Sequence, residues 1–243
     1  MKQENITLEK AYQNARDTFK YFWRELSWEY RRIIPSLDMA MVKIAFSDDS
    51  LADPSQQTEY LWVNDLSFDG TTIYGTIINQ PHWLTNVSEG DLVHVGLDVL
   101  ADWIFTLNNE VYGAFTINQM RASMSQEERA EHDEMWGLEF GDPHTIALLT
   151  TENEEDEHPM SLNMLESLKE TLKTSNEILE YRDEWGGTML HYEALAGNLA
   201  QVVLLLSYKL DATIVNKNGD RAIDLAKKMG WNQIVDVLEE VEG

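Results

Sequence analysis

The stretch DEWGGTMLH at residues 183–191, followed by Gly197-Asn198 and Leu204-Leu205, decides how the second half of this 243-residue chain folds. A step of 33 residues forward finds it again. Gly186 falls on Gly219, Leu190 on Ile223, Gly197 on Gly230, Val202 on Val235 and Leu205 on Leu238. Glycine lands on glycine and aliphatic on aliphatic, which marks a repeat architecture. A step of 33 residues back from Leu205 reaches Leu172 in MLESLKETLKTS, so a degenerate unit precedes the clear one. About two and a half units then span residues 161–243. One helix pair cannot bury its own apolar face, so Leu190, Leu195, Val202, Leu205, Ile223, Leu225, Val235 and Leu238 form a core only by stacking.

The order turn, Thr188, Leu190, His191, helix, Gly197, helix resembles the ankyrin repeat, with Met189 in place of the signature proline and Glu193 in place of a small alanine. The second unit keeps Asn216, Gly219, Ala226 and Gly230 but carries Arg221-Ala-Ile-Asp224 where the threonine-to-histidine stretch would stand. The resemblance implies that His191 is structural, capping turn backbone groups. It leaves the turn tips and the inward helix face for binding: Glu184, Trp185, Met189, Tyr192, Lys217, Asn218 and Asp220. Trp185 at a turn tip is a candidate anchor, because tryptophan is enriched at interface hot spots. Packing of Trp185 on the neighbouring domain is the alternative of equal standing.

Upstream of the repeats, ENEEDEHP at 152–159 holds five acids in eight residues. Like charges this dense resist folding, so residues 151–160 read as an exposed linker. An acid-rich helix N-terminus is the alternative. Before it, residues 1–150 read as an α+β domain. Leu8, Ala11, Ala15, Phe19, Phe22, Trp23 and Leu26 recur at helical spacing behind Thr7 as N-cap, predicting a helix to about Arg32. Six short runs rich in β-branched and aromatic residues follow: 40–46, 60–68, 72–78, 92–97, 103–107 and 111–115. Asp69-Gly70, Glu89-Gly90-Asp91 and Asn108-Asn109 supply the turns. With no helix between them, the runs predict a curved antiparallel sheet. Ser125 and Glu128 then form a capping box for SQEERAEHDEMW.

Charge narrows the choice of partner. The chain carries 18 basic and 43 acidic residues, a net charge of −25. From Ile44 through Met120 there is no Lys or Arg, while eleven acidic residues occur there. Such a chain is repelled by nucleic acid and by anionic membranes, and is steered towards a basic protein domain. The absence of cysteine excludes disulfides, thiolate metal sites and cysteine nucleophiles. The longest aliphatic run, Val202–Leu206, is far short of a membrane span, and the N-terminus has no apolar signal core, so the chain reads as cytoplasmic.

Lys43–Phe46, Glu59-Tyr-Leu-Trp-Val63, Gly75 with Asn79-Gln-Pro81, Gly90-Asp91, Asp102-Trp103, Tyr112-Gly113 and Trp136–Pro143 together resemble the bacterial domain of unknown function 2314, over roughly residues 10–145. The resemblance implies a small α+β domain around a curved sheet and a bacterial origin. Occurrence of family members beside polymorphic toxins implies a toxin-neutralising role for some of them.

Enzyme signatures fail. There is no G-x-S-x-G elbow, phosphate loop, G-x-G-x-x-G or H-E-x-x-H, and the six histidines form no pair at metal-ligand spacing. No metal or organic cofactor is expected. The best catalytic candidates are Glu59, Asp102 and Asp142, where partial burial would raise a carboxyl pKa. The structural alternative has Glu59 and Asp102 anchoring strand ends and Asp142 capping a turn. Trp62, Trp103 and Trp136 read as core. The expected function is therefore a protein-binding inhibitor, an immunity protein that blocks the active site of a cognate bacterial toxin. Its contact residues are Trp185, Tyr192, Glu184 and Asn218 in the repeats and Asp98, Asp102 and Glu59 in the first domain. The alternative is a small hydrolase or transferase using the first domain's carboxylates, with the repeats selecting a protein substrate.

Overall fold

The computed structural model describes residues 7–149, 157–175 and 177–242. The chain divides into two compact units, 1–149 and 150–243.

The first unit opens with helix α1 (Leu8–Glu29), whose N-cap Thr7 accepts a hydrogen bond from the Lys10 N–H at 3.3 Å. Six strands follow: β1 (Leu37–Ser47), β2 (Thr58–Phe68), β3 (Thr72–Ile77), β4 (Leu92–Gly96), β5 (Leu100–Leu107) and β6 (Glu110–Gly113). They form one antiparallel sheet in the order β4-β3-β2-β1-β5-β6. Alternation along each strand gives the sheet two apolar faces. On one, Phe19 and Trp23 of α1 meet Phe68, Phe22 meets Trp103, and the Trp103 indole N–H donates to the Ala15 carbonyl at 3.0 Å. On the other, Met41, Ile104, Val111, Ala114, Ile117 and Phe140 form a second cluster, flanked by Trp62 and Trp136. Helices α2 (Phe115–Arg121) and α3 (Gln126–Trp136) contribute to that cover. Register shifts between β1 and β5 and between β2 and β3 bend the strands, as bulges do.

The sequence predicts a last strand through Phe115, and here the structure differs. The strand stops at Gly113 and a helix begins at Phe115. Phe-Thr-Ile is strand-forming by local propensity. Ala114 breaks the strand with a left-handed φ of 57°, and Gly113 beside it has no room for a Cβ against Trp103. A left-handed alanine costs about 1–2 kcal/mol, so other contacts must hold it. Those contacts come from Asp102. The α3 capping box of Ser125 and Glu128 forms as expected.

In the second unit, α4 (Pro159–Thr174) starts on a proline whose missing N–H would be unsatisfied there anyway, and His158 Nδ1 accepts from the Met160 N–H at 3.1 Å. Residues 151–156 of the expected acidic linker lie outside the described residues. After the short α5 (Glu177–Glu180) come two helix pairs, α6 (Met189–Ala196) with α7 (Leu199–Ser207) and α8 (Ala222–Met229) with α9 (Asn232–Glu242). This all-helical unit resembles a short ankyrin stack.

The 33-residue step reappears in the hydrogen bonds. Asp183 Oδ1 accepts from the N–H groups of Trp185 and Gly187 at 2.9 and 2.7 Å, and Asn216 Oδ1 accepts from those of Asn218 and Asp220, both at 2.9 Å. Thr188 and His191 form a capping box for α6; Arg221 and Asp224 replace them at the start of α8, where the carboxylate accepts from the Arg221 N–H at 2.9 Å. His191 Nε2 also meets the Asp220 carbonyl at 3.0 Å, joining one turn to the next. Burial lowers the pKa of this imidazole, which suits a neutral ring that both donates and accepts. Among the described residues, no helix is long and apolar enough to cross a membrane.

Candidate functional site

Of the eleven acids between Ile44 and Met120, four are drawn wholly or partly out of solvent in building the first unit. Asp102 is fully buried. Its carboxylate accepts from the N–H groups of Phe115 and Thr116 at 2.9 and 2.7 Å and from the Thr116 hydroxyl at 2.6 Å. It therefore caps α2 across the sheet and holds Ala114 in its left-handed conformation. Lys43 lies opposite Asp102 in the β1–β5 register. Its Nζ donates to the Thr116 hydroxyl oxygen at 3.2 Å and sits 5.2 Å from the centre of the Trp62 ring. Burial raises the pKa of Asp102 against the pull of these donors, and burial lowers that of Lys43 against the pull of Asp102. Asp102 thus offers no surface to a partner, which corrects its assignment as a contact residue. Desolvation and the α2 backbone claim it instead.

Glu59 projects to the long β3–β4 connection, where its carboxylate accepts from the N–H groups of His82 at 2.8 Å, Leu84 at 2.9 Å and Trp83. Partial burial raises its pKa, but the three donors outweigh that and hold it below the usual carboxylate range. Asp48 grips the same connection through the Thr85 N–H and hydroxyl at 3.1 and 2.7 Å. The hydroxyls of Ser50 and Thr85 bring its pKa down to about 2. Asp69 accepts from the N–H groups of Thr71 and Thr72 in the β2–β3 turn. Asp142 accepts from the His144 N–H at 3.0 Å, so it caps a turn. The three proposed catalytic carboxylates are committed to three separate segments. Among the described residues, no hydrogen bond joins one to another.

The remaining seven acids of that segment, Asp49, Asp53, Asp65, Glu89, Asp91, Asp98 and Glu110, are exposed. The bases that bracket the segment do little to offset them. Lys43 is turned over Trp62. Arg121, only 2% exposed, makes two bonds to the Asp133 carboxylate at 2.9 and 2.6 Å and stacks 5.1 Å from the Phe140 ring centre. Neither role was legible beforehand; a lone lysine within an apolar strand run was the sole hint of the first.

In the second unit, Glu184 and Asn218 are exposed at successive turns, while Trp185 and Tyr192 are half-buried. The turns are tied together by the Lys217 N–H on the Trp185 carbonyl at 2.8 Å and the Lys217 ammonium on the Glu184 carbonyl at 2.7 Å. An open groove of about 570 Å³ runs between α4 and α7, lined by Leu165, Leu199, Val203 and Leu204 among others. In the first unit a cavity of about 90 Å³ lies between α1 and α2, with Asn14, Gln119 and His144 in its wall. Among the described residues, no group of three or more His, Asp or Glu side chains could hold a metal ion.

Comparisons with known proteins place the chain. It is 43% identical, over 98% of its own length and 95% of the relative's, to the protein named "Putative ankyrin repeat protein NMB1133/NMB1171" of Neisseria meningitidis serogroup B. It is 29% identical over 75 residues, 31% of this chain and 49% of the relative, to "Uncharacterized protein YegJ" of Escherichia coli K12. Residues 5–140 match the model described as "Uncharacterized protein conserved in bacteria (DUF2314)". With that match over the whole helix-and-sheet unit, the chain belongs to the DUF2314 family of bacterial proteins.

Proposed function

We propose that this protein captures a basic protein domain and blocks its active site, as an immunity protein does to a cognate toxin. One observation carries the reading: seven exposed carboxylates lie between Ile44 and Met120 with no Lys or Arg among them. Asp65 and Glu110 lie on strands and the other five in the connections between strands of a sheet braced on both faces. The field of these carboxylates accelerates encounter with a cationic partner and sets its orientation. The repeat turns, with Glu184 and Asn218 exposed beside Trp185, offer a pre-organised second surface that loses little entropy on binding. Tyr192 belongs to the same proposal. The enzyme reading has less to stand on, because Glu59, Asp102 and Asp142 are occupied by backbone donors.

The test is co-expression with the product of the adjacent gene. Growth arrest by that product alone, relieved by this protein, is the expected result. Reversing Asp49 and Asp65 to lysine should remove the relief while the protein stays folded. Association of the purified pair should slow steeply with salt while dissociation changes little. Relief that survives the reversals, with a salt-independent on-rate, would overturn the electrostatic reading.

A further inference from the structure

We infer that the partner engages this protein by adding a strand to the free edge of β4, through an extended segment rich in lysine or arginine. This rests on the cationic-partner reading above and gives it a place. Among the described residues, β4 is the terminal strand of the sheet and pairs on one side only, with β3. The Ile77 N–H bonds to the Asp91 carbonyl at 3.0 Å, which sets the phase of the β3–β4 ladder. Antiparallel alternation then directs the backbone of Val93 and Val95 to β3 and turns the N–H and C=O groups of Leu92, His94 and Gly96 outward. An open row of this kind is a template for another strand. Leu92, 84% exposed, stands on that edge as an apolar anchor, and the His94 ring stacks on Tyr74 at 6.4 Å.

Charge selects the occupant. Glu89, Asp91 and Asp98 are all exposed and bracket the strand at both ends. Pairing of β4 with a second copy would set these acids against each other, and like charges facing across strands are destabilising. A basic strand reverses the sign of every one of those contacts. The same acids that keep the edge from self-pairing therefore select its partner.

The probe is the capped heptapeptide Lys-Val-Lys-Val-Lys-Val-Lys, added to the full chain and followed by amide NMR and hydrogen exchange. Exchange at Leu92, His94 and Gly96 should slow about tenfold or more at saturation. The same peptide with glutamate for lysine, or with N-methylated valines, should leave it unchanged. His94→Pro removes an outward N–H without touching the β3 ladder and should weaken binding about tenfold. Because that variant could disturb the strand, Glu89→Lys combined with Asp98→Lys supplies an independent check: preference should switch to the glutamate peptide. Binding of the lysine peptide that ignores N-methylation and His94→Pro would overturn strand addition and leave the cationic-partner reading standing. Equal binding of the glutamate peptide would overturn both. Dimerisation of the free protein that His94→Pro abolishes would assign the edge to a second copy.

Discussion

The repeat turns and three carboxylates of the sheet unit cap backbone N–H groups with the same chemistry at very different range. In the repeat turns the acceptor sits two to four residues from the N–H groups it serves, as Asp183 does for Trp185 and Gly187, and Asn216 for Asn218 and Asp220, although Glu157, ahead of them, reaches 43 residues to the Ala200 N–H. In the sheet unit, Asp102 reaches 13 and 14 residues to the start of α2, Glu59 reaches 23 to 25 residues, and Asp48 reaches 37. A local cap is available in the unfolded chain and needs little else to form. A remote cap exists only once the sheet has assembled, so it couples distant segments and raises the cooperativity of the unit. It also consumes carboxylates that composition alone would assign to a binding face.

The largest test of that contrast is Asp102→Ala. It leaves the N–H groups of Phe115 and Thr116 buried without an acceptor and strips Lys43 of its nearby charge, so we expect a loss of about 3–5 kcal/mol in urea unfolding. A loss under about 1 kcal/mol would mean that α2 forms on local preference and that the remote cap is dispensable. Next come two glycines at one repeat position. Gly230 has φ +71° and open space where a Cβ would go, so Gly230→Ala should cost about 1 kcal/mol. Gly197 has φ +79° as well, but a Cβ there would overlap the Trp231 ring, so Gly197→Ala should cost clearly more, by about 1–3 kcal/mol of added strain. Equal losses would show that Trp231 yields freely.

The smallest effect concerns pH. Asp48 has its pKa lowered from 3.8 to about 2. A carboxyl depressed on folding adds stability that is present above its unfolded value and disappears as pH falls through the folded one. Amide protection at Thr85 should therefore fade between about pH 4 and pH 2, and Asp48→Asn should remove that dependence. Protection that is flat across this window in the parent protein would detach Asp48 from the loop.

Local information explains what could be read from residues alone. The repeat was visible because each unit solves its own turn and caps within a few residues, leaving glycine and aliphatic positions at a constant step. The α1 N-cap at Thr7, the α3 capping box at Ser125 and Glu128, the six strand runs and the all-helical second unit are of the same kind: period and short-range hydrogen bonding suffice. What only the tertiary structure decided is the fate of groups whose partners are far away. Phe115 reads as the end of a strand and instead opens a helix, because Asp102, on another strand, caps it. Seven acids of one segment remain on the surface while three are buried and Glu59 is half-buried, and nothing in the local pattern around Asp98 or Asp102 distinguishes the two fates. The free edge of β4 was equally hidden, since strand order is set by which apolar faces and registers match across the whole sheet. Burial and long-range pairing act on assembled neighbours, and those neighbours are not adjacent in the chain.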